Sequence, residues 1–326
     1  MLRPCATHAE RNCEWPCFGD GEAVRLHRRL WIYQAERFPL AAHGLLVAVI
    51  AVAGVGFSSA ARGAEQPPSV AAFLTAFAVA FAFFFQLRVA DEFKDYADDA
   101  AYRPYRAVPR GVVTLRELAI AAVIAVGVQT LLTLWLSPAL FWPLAAGWAY
   151  LGLMRVEFFA PAWLKAHSLL YMLSHMAILP LIFVYITGCD WLVAGAAPPP
   201  GLGWFLAAGY CNGMVIEIGR KMRAPADEEE GVETYSKLWG PGGAAAAWLA
   251  ALTLAGVCGA LAAGAYGGTA PIAGLAGALA VTGLALALRY ERLPSSARAG
   301  AIEKYSALYV LALYAGVGIA PLLSIG

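Results

Sequence analysis

Charge is what this sequence has least of. Only 14% of its 326 residues are Asp, Glu, Lys or Arg, 60% are hydrophobic, and the mean hydropathy is +0.63. Such a composition excludes an ordinary soluble domain and points to a polytopic membrane protein. The formal net charge of +1 leaves no basic excess, and no nucleic-acid partner is expected. Six cysteines stand at positions 5, 13, 17, 189, 211 and 258, none in a CxxC pair. Cys5, His8, Cys13 and Cys17 match no common zinc-finger spacing. Residues 1–37 carry six Arg but lack the apolar core and small-residue cleavage site of a signal peptide. No hydrophilic domain or long linker interrupts the remainder.

What is present is a series of apolar segments, each long enough to cross ~30 Å of hydrocarbon. They read as Pro39–Ala60, Ser69–Ala90, Leu115–Leu136, Ala139–Val156, Ala162–Ile186, Leu202–Ile218, Gly243–Ala265, Ala270–Leu288 and Ser306–Ile325. Because lipid satisfies no free backbone N–H or C=O, each is expected to be helical, which makes the chain an all-α bundle of nine transmembrane helices. Residues 1–37 form a cytoplasmic arm, with an interfacial helix over Val24–Phe38, and residues 38–326 form one membrane domain. Placing the N-terminus in the cytoplasm puts every Lys and Arg except Arg62 on that side. The acids divide likewise, with only Glu65 and Asp190 opposite, so the C-terminus and the bland loops lie outside and the chemistry inside. The membrane itself reads as the inner, plasma membrane of the cell.

Two charged clusters stand out on that face. The first, LRVADEFKDYADDAAYRPYRAVPRG, spans Leu87 to Gly111 behind the second helix. On a helix Asp91, Asp95 and Asp99 share one face, with Glu92 beside them. Carboxylates set so closely repel one another unless they hold cations, and hard oxygen ligands suit Mg²⁺, which is commonly shared with substrate phosphates. The second, EIGRKMRAPADEEEGVETYSKLWG, spans Glu217 to Gly240 after the sixth helix. Glu217 lies near the end of an apolar helix, where an ionisable group marks a site. Arg220 and Lys221 follow one turn later, then Arg223 and the acids Asp227 to Glu230. Together the clusters suggest one polar pocket, with carboxylates on Mg²⁺ and basic residues on diphosphate oxygens. Smaller signals are Tyr150 and Arg155, which end the fourth helix, Tyr171, Ser174 and His175 in the fifth, and Asn212 in the sixth.

These motifs resemble the UbiA superfamily of intramembrane prenyltransferases, and the resemblance covers essentially the whole transmembrane region. That family has nine helices, an N-D-x-x-D-x-x-x-D motif after the second and a D-x-x-x-D motif after the sixth. Here Asp91 stands at the Asn, Glu92 at the first Asp, and Asp95 and Asp99 at the others. The following YRPYR and VPRG look like the family's R-P-x-R and R-G elements, placing Arg103, Arg106 and Arg110. Asp227 falls at the last Asp of the second motif, counted from Gly231 and Thr234, but Arg223 occupies the position four before it. Aligning the helix instead puts Glu217 at that earlier Asp. Arg155 resembles a basic residue that contacts diphosphate in the family.

The resemblance implies a Mg²⁺-dependent transfer of an isoprenyl group from an isoprenyl diphosphate to an acceptor that is aromatic, lipidic or otherwise small. It implies metal on Glu92, Asp95, Asp99, Glu217 and Asp227, and diphosphate on Lys94, Arg103, Arg106, Arg110, Arg155, Arg220, Lys221 and Arg223. Asp91, Glu92, Asp95 and Asp99 are the implied catalytic acids. Arg223 in place of an acid makes an anionic or phosphorylated acceptor slightly more attractive than usual, while a quinone-precursor aromatic remains the first expectation. Two other readings remain open: a terpene cyclase of the same fold, and an ion or lipid transporter. Against the transporter, the polar residues sit at one membrane face and no inverted repeat is visible.

Overall fold

The computed structural model describes residues 25–324, which contain helices and no strands. The cysteines at 5, 13 and 17 and His8 lie outside the described residues. The chain begins with α1 (Leu26–Arg37), then α2 (Leu40–Ala61), α3 (Val70–Lys94), the short α4 (Tyr96–Tyr102) and α5 (Leu115–Leu136). It continues through α6 (Phe141–Arg155), α7 (Pro161–Ala166), α8 (Ser168–Met176) and α9 (Ile178–Trp191). The last four are α10 (Leu202–Arg220), α11 (Tyr235–Ala263), α12 (Thr269–Arg292) and α13 (Ser296–Tyr314).

Seven helical stretches among the described residues are long and apolar enough to cross a membrane, where the sequence suggested nine. They are α2, α3, α5, the α8–α9 pair, α11, α12 and α13 with its tail. The other two expected segments exist as helices of a different kind. With 15 residues, α6 is roughly 22 Å long, short of the hydrocarbon thickness. Asn212 and Glu217 dilute the apolar run of α10. Three further boundaries differ from expectation. The fifth segment breaks at His167, which leaves α7 separate. The seventh helix starts at Tyr235, well before the apolar run, and bends at Gly240 (φ 71°), the residue ahead of Pro241. The last starts at Ser296. Charged and hydroxyl residues occupy those first turns, and they fold as helix because the turns emerge beyond the apolar band.

Three helix starts among the described residues, those of α3, α5 and α11, are capped by side chains. Ser69 accepts from the Ala72 N–H, and Thr114 and Glu117 form a reciprocal capping box on α5. At the centre, α2 packs on α3, on α9 and on the 315–319 turn that follows α13. Phe57 stacks on Phe205 at 4.4 Å, with Phe183 edge-on to Phe205. Polar groups inside the bundle pair across helices, as lipid requires. Gln129 of α5 accepts from Gln86 of α3 at 2.9 Å and from Trp148 of α6 at 3.0 Å.

Two of the three charged residues expected opposite the clusters, Arg62 and Asp190, meet each other. Arg62 makes two hydrogen bonds to Asp190, at 2.8 and 2.9 Å, and Ser58 donates to the same carboxylate at 2.7 Å. At the other end Arg29 of α1 reaches Glu117 of α5 at 2.6 Å, so α1 is tied beside the charged loops.

Backbone-to-backbone approach draws α2 onto the C-terminal turn. A Cβ on Gly318 would overlap the carbonyl of Ala53, and one on Gly56 would overlap the carbonyl of Gly318. Neither obstacle is a flexible side chain, so neither yields. Gly318→Ala is expected to cost about 1–3 kcal/mol, read as a lower thermal-unfolding midpoint in detergent. Gly44→Ala, where a Cβ meets open space, is the matched control and leaves the midpoint unchanged or higher.

Candidate active site

The first cluster does not continue as one helix. Asp95 (φ −91°, ψ 3°) interrupts it, so Asp91 and Glu92 end α3 while Asp98 and Asp99 sit in the first turns of α4. The break divides the acids by fate. Glu92 is buried and accepts a 2.6 Å hydrogen bond from Arg37 of α1. Asp99 is buried too, between Arg103 at 2.7 Å and Arg106 at 2.8 Å, with Arg37 at 3.9 Å. Buried carboxylates cost too much unless paired, and these are paired several times over. Asp91, with its side chain 42% exposed, has only the longer contacts to Arg88 at 3.5 Å and Lys94 at 3.8 Å. Asp95 is half-buried and makes no side-chain hydrogen bond or ion pair. Burial pushes its carboxyl above the ordinary carboxylate range, and Lys94 and Arg103 pull the other way.

Lys94 donates to the Tyr171 hydroxyl and lies over that ring, and Tyr171 stacks on His175 at 4.0 Å. The α3 end therefore faces α8. It faces α10 as well, since the charge of Asp91 bears on Arg220. On α10, Glu217 is gripped by Arg220 at 2.5 Å and by Lys221 at 2.9 Å. Arg110 pairs with Glu36 of α1 at 2.6 Å, and Arg155 lies over the Phe93 ring at 5.5 Å.

The loop after α10 is anchored by its backbone. The Arg223 N–H donates to Ser236 at 2.6 Å, and the Arg223 carbonyl accepts from Tyr290 at 2.6 Å. Met222 and Ala224 on either side are buried. The exposed Arg223 side chain is thereby held over a cavity of about 210 Å³, which it shares with Arg103, Arg106, Asp227 and Glu229. Tyr105, Val232 and Thr234 complete the lining. Thr234 caps α11 and donates to Glu228 at 2.6 Å, which keeps that acid on the loop. The phenol of Tyr105 is raised above its usual range by burial and by Glu229.

The five acids proposed as metal ligands are not gathered into one cage. Among the described residues no three His, Cys, Asp or Glu side chains stand together as a metal-holding group. One of them, Asp227, does come together with three expected basic residues, because Arg103, Arg106, Arg223 and Asp227 line one cavity. Lys94, Arg155 and Arg220 stand by the end of α3, Lys221 is paired with Glu217 on α10, and Arg110 is engaged with Glu36. Two contributions escaped the sequence. Arg37 neutralises acids 55 and 62 positions away, a partnership no local spacing announces. The turn Glu157–Phe159 holds three successive non-glycine residues at φ 46°, 53° and 60°, a conformation that costs about 1–2 kcal/mol per residue. It sets Phe158 edge-on to Tyr150 and His175 and brings the Glu157 charge to bear on Tyr171.

Comparison with known proteins agrees with this architecture. A family model for the UbiA prenyltransferase family matches residues 49–311. No curated protein matches the chain. Among solved structures, the apo form of a UbiA homologue from Aeropyrum pernix K1 is 16% identical with a TM-score of 0.64, covering 84% of this chain and 97% of that one. A UbiA homologue from Archaeoglobus fulgidus, bound to GPP and Mg²⁺, is 13% identical with a TM-score of 0.53, covering 87% and 99%. A digeranylgeranylglyceryl phosphate synthase structure is 12% identical with a TM-score of 0.54, covering 91% and 99%. At such identities these structures share the fold. The family match takes in both charged clusters and most of the helical bundle, and the chain belongs to the UbiA prenyltransferase family of integral membrane enzymes.

Proposed function

We propose that the chain transfers an isoprenyl group from an isoprenyl diphosphate to an acceptor at the charged end of its bundle. The observation that carries this reading is the cavity where Arg103, Arg106 and Arg223 converge at the charged end of an apolar helical bundle. Guanidiniums in a fork suit diphosphate oxygens, and the helices below suit a hydrocarbon tail. The Archaeoglobus fulgidus homologue binds GPP and Mg²⁺, which supports the same donor class and ion here.

The residues present fit Mg²⁺ in a limited way. The ion commonly takes one or two carboxylates and completes its shell with water and phosphate. Asp91 and Asp95, one turn apart at the end of α3, are free of close ion pairs. They would hold the ion, and it would offset the charge developing on the leaving diphosphate.

The chain's own residues supply the rest. Arg103 and Arg106, fixed by Asp99, present cationic edges to the cavity, and Lys94 is steadied by Tyr171 for contact with the same anion. As the C–O bond breaks, positive charge develops on the allylic carbon and negative charge on the diphosphate, which these cations stabilise. The apolar helices keep water from the allylic cation until the acceptor attacks. The distribution of basic residues favours the cytoplasmic side for this site.

Asp95→Ala is expected to lower diphosphate release from geranylgeranyl diphosphate by roughly 100-fold or more, while a monodisperse detergent profile is retained. Full activity in that variant would remove Asp95 from the site. Chelation of divalent ions should abolish turnover, with Mg²⁺ restoring it; activity that persists in chelator contradicts the metal requirement. Product analysis with donor alone separates the reactions: a transferase leaves the donor largely uncyclised until acceptor is added, and a cyclised hydrocarbon would replace this reading with a cyclase.

A further inference from the structure

Of the acids brought near the site, most already have a cation. Glu92 has Arg37, Asp99 has Arg103 and Arg106, and Glu217 has Arg220 and Lys221. Glu228 is held by Thr234. A metal at any of these positions would first have to displace a charge-assisted hydrogen bond of 2.5 to 2.9 Å. Asp227 is free of such a bond, but it shares its cavity with three guanidiniums, which repel a divalent cation. At the end of α3, Asp91 and Asp95 are therefore the carboxylates open to a metal, while Asp98 of α4 contacts Lys165 at 3.9 Å and Glu229 shares the guanidinium-lined cavity. On the loop side the positive charge comes from protein side chains.

Arg223 is the residue that tips this balance. Arg103 and Arg106 are partly spent on Asp99, whereas the Arg223 side chain makes no hydrogen bond or ion pair among the described residues. Its backbone is pinned on both sides, by Ser236 of α11 and by Tyr290 of α12, and Tyr290 also bonds Ser236 at 3.1 Å. A backbone so anchored presents its guanidinium to the cavity at little further cost in entropy. Arg103 links the cavity to these acids, because it lines the one and its charge bears on Asp95.

We infer that Arg223 takes the place of a divalent cation, so that the donor's diphosphate is held by a single Mg²⁺ on Asp91 and Asp95 and, on its other side, by the guanidiniums of Arg223, Arg103 and Arg106. This rests on the prenyl-transfer reading above. It gives the two charged clusters unlike roles: the first supplies the metal, and the second supplies fixed charge. A fixed guanidinium neither dissociates nor competes for ions, so the loop side of the site stays charged at low Mg²⁺.

The test counts ions on the full-length chain in detergent, with Mn²⁺ as a paramagnetic probe and inorganic diphosphate as the ligand. Wild type is expected to bind a single Mn²⁺ per chain, and only when diphosphate is present. Arg223→Asp is expected to bind a second. Arg223→Ala should weaken diphosphate binding by about tenfold or more, and Arg223→Lys should retain the single ion with a smaller loss. The exposed position of this side chain leaves the fold of all three variants intact. Two ions on the wild type, or unchanged diphosphate affinity in Arg223→Ala, would overturn the inference while leaving prenyl transfer standing. A wild type that binds no diphosphate at all would overturn both.

Discussion

The architecture of the charged end depends on neutralising two buried carboxylates. Glu92 and Asp99 lie where an unpaired charge would be costly, and Arg37, Arg103 and Arg106 surround them. Because these partners come from α1 and from the loop behind α4, the ion pairs join the N-terminal helix, the end of α3 and the basic loop into one unit. The pairs also aim Arg103 and Arg106 at the cavity from a fixed base. The acids of the first motif thus divide their work, with Glu92 and Asp99 organising cations and Asp91 and Asp95 remaining open.

The apolar half of the molecule answers to a different constraint. Backbones meet without side chains at Gly56 and Gly318, and aromatic rings fill the space between α2, α9 and α10. That packing holds the helix ends in register at the charged face. The strained turn at Glu157–Phe159 lies between this packed body and the site, and it positions Phe158 against His175. Strain of this kind persists where the surrounding structure enforces it.

Much of the bundle was legible from hydropathy. The boundaries of α5 coincide with the apolar run, and those of α2 differ from it by one residue at each end. Legibility failed wherever helix continued past the apolar band, as at Tyr235 and Ser296, since polar first turns carry no hydropathy signal. It failed again at the fourth segment, whose apolar length conceals a helix of 15 residues followed by a left-handed turn. Of the candidate site, the sequence identified the basic residues that share the cavity, because motif position and charge both pointed to them. It missed Arg37, since an arginine in an N-terminal arm reads as an ordinary positive-inside charge.

The sequence by itself determined the class of molecule: low charge, repeated apolar segments and charge asymmetry leave a helical membrane bundle with chemistry at one face. Its two motifs pointed to the family and to the end of the bundle proposed for the site. Only the tertiary structure decided which carboxylates are free and which are spent. Helical spacing specifies which side chains share a face, but whether an acid binds a metal depends on the cations that other helices bring to it, and those arrive from positions distant in the chain.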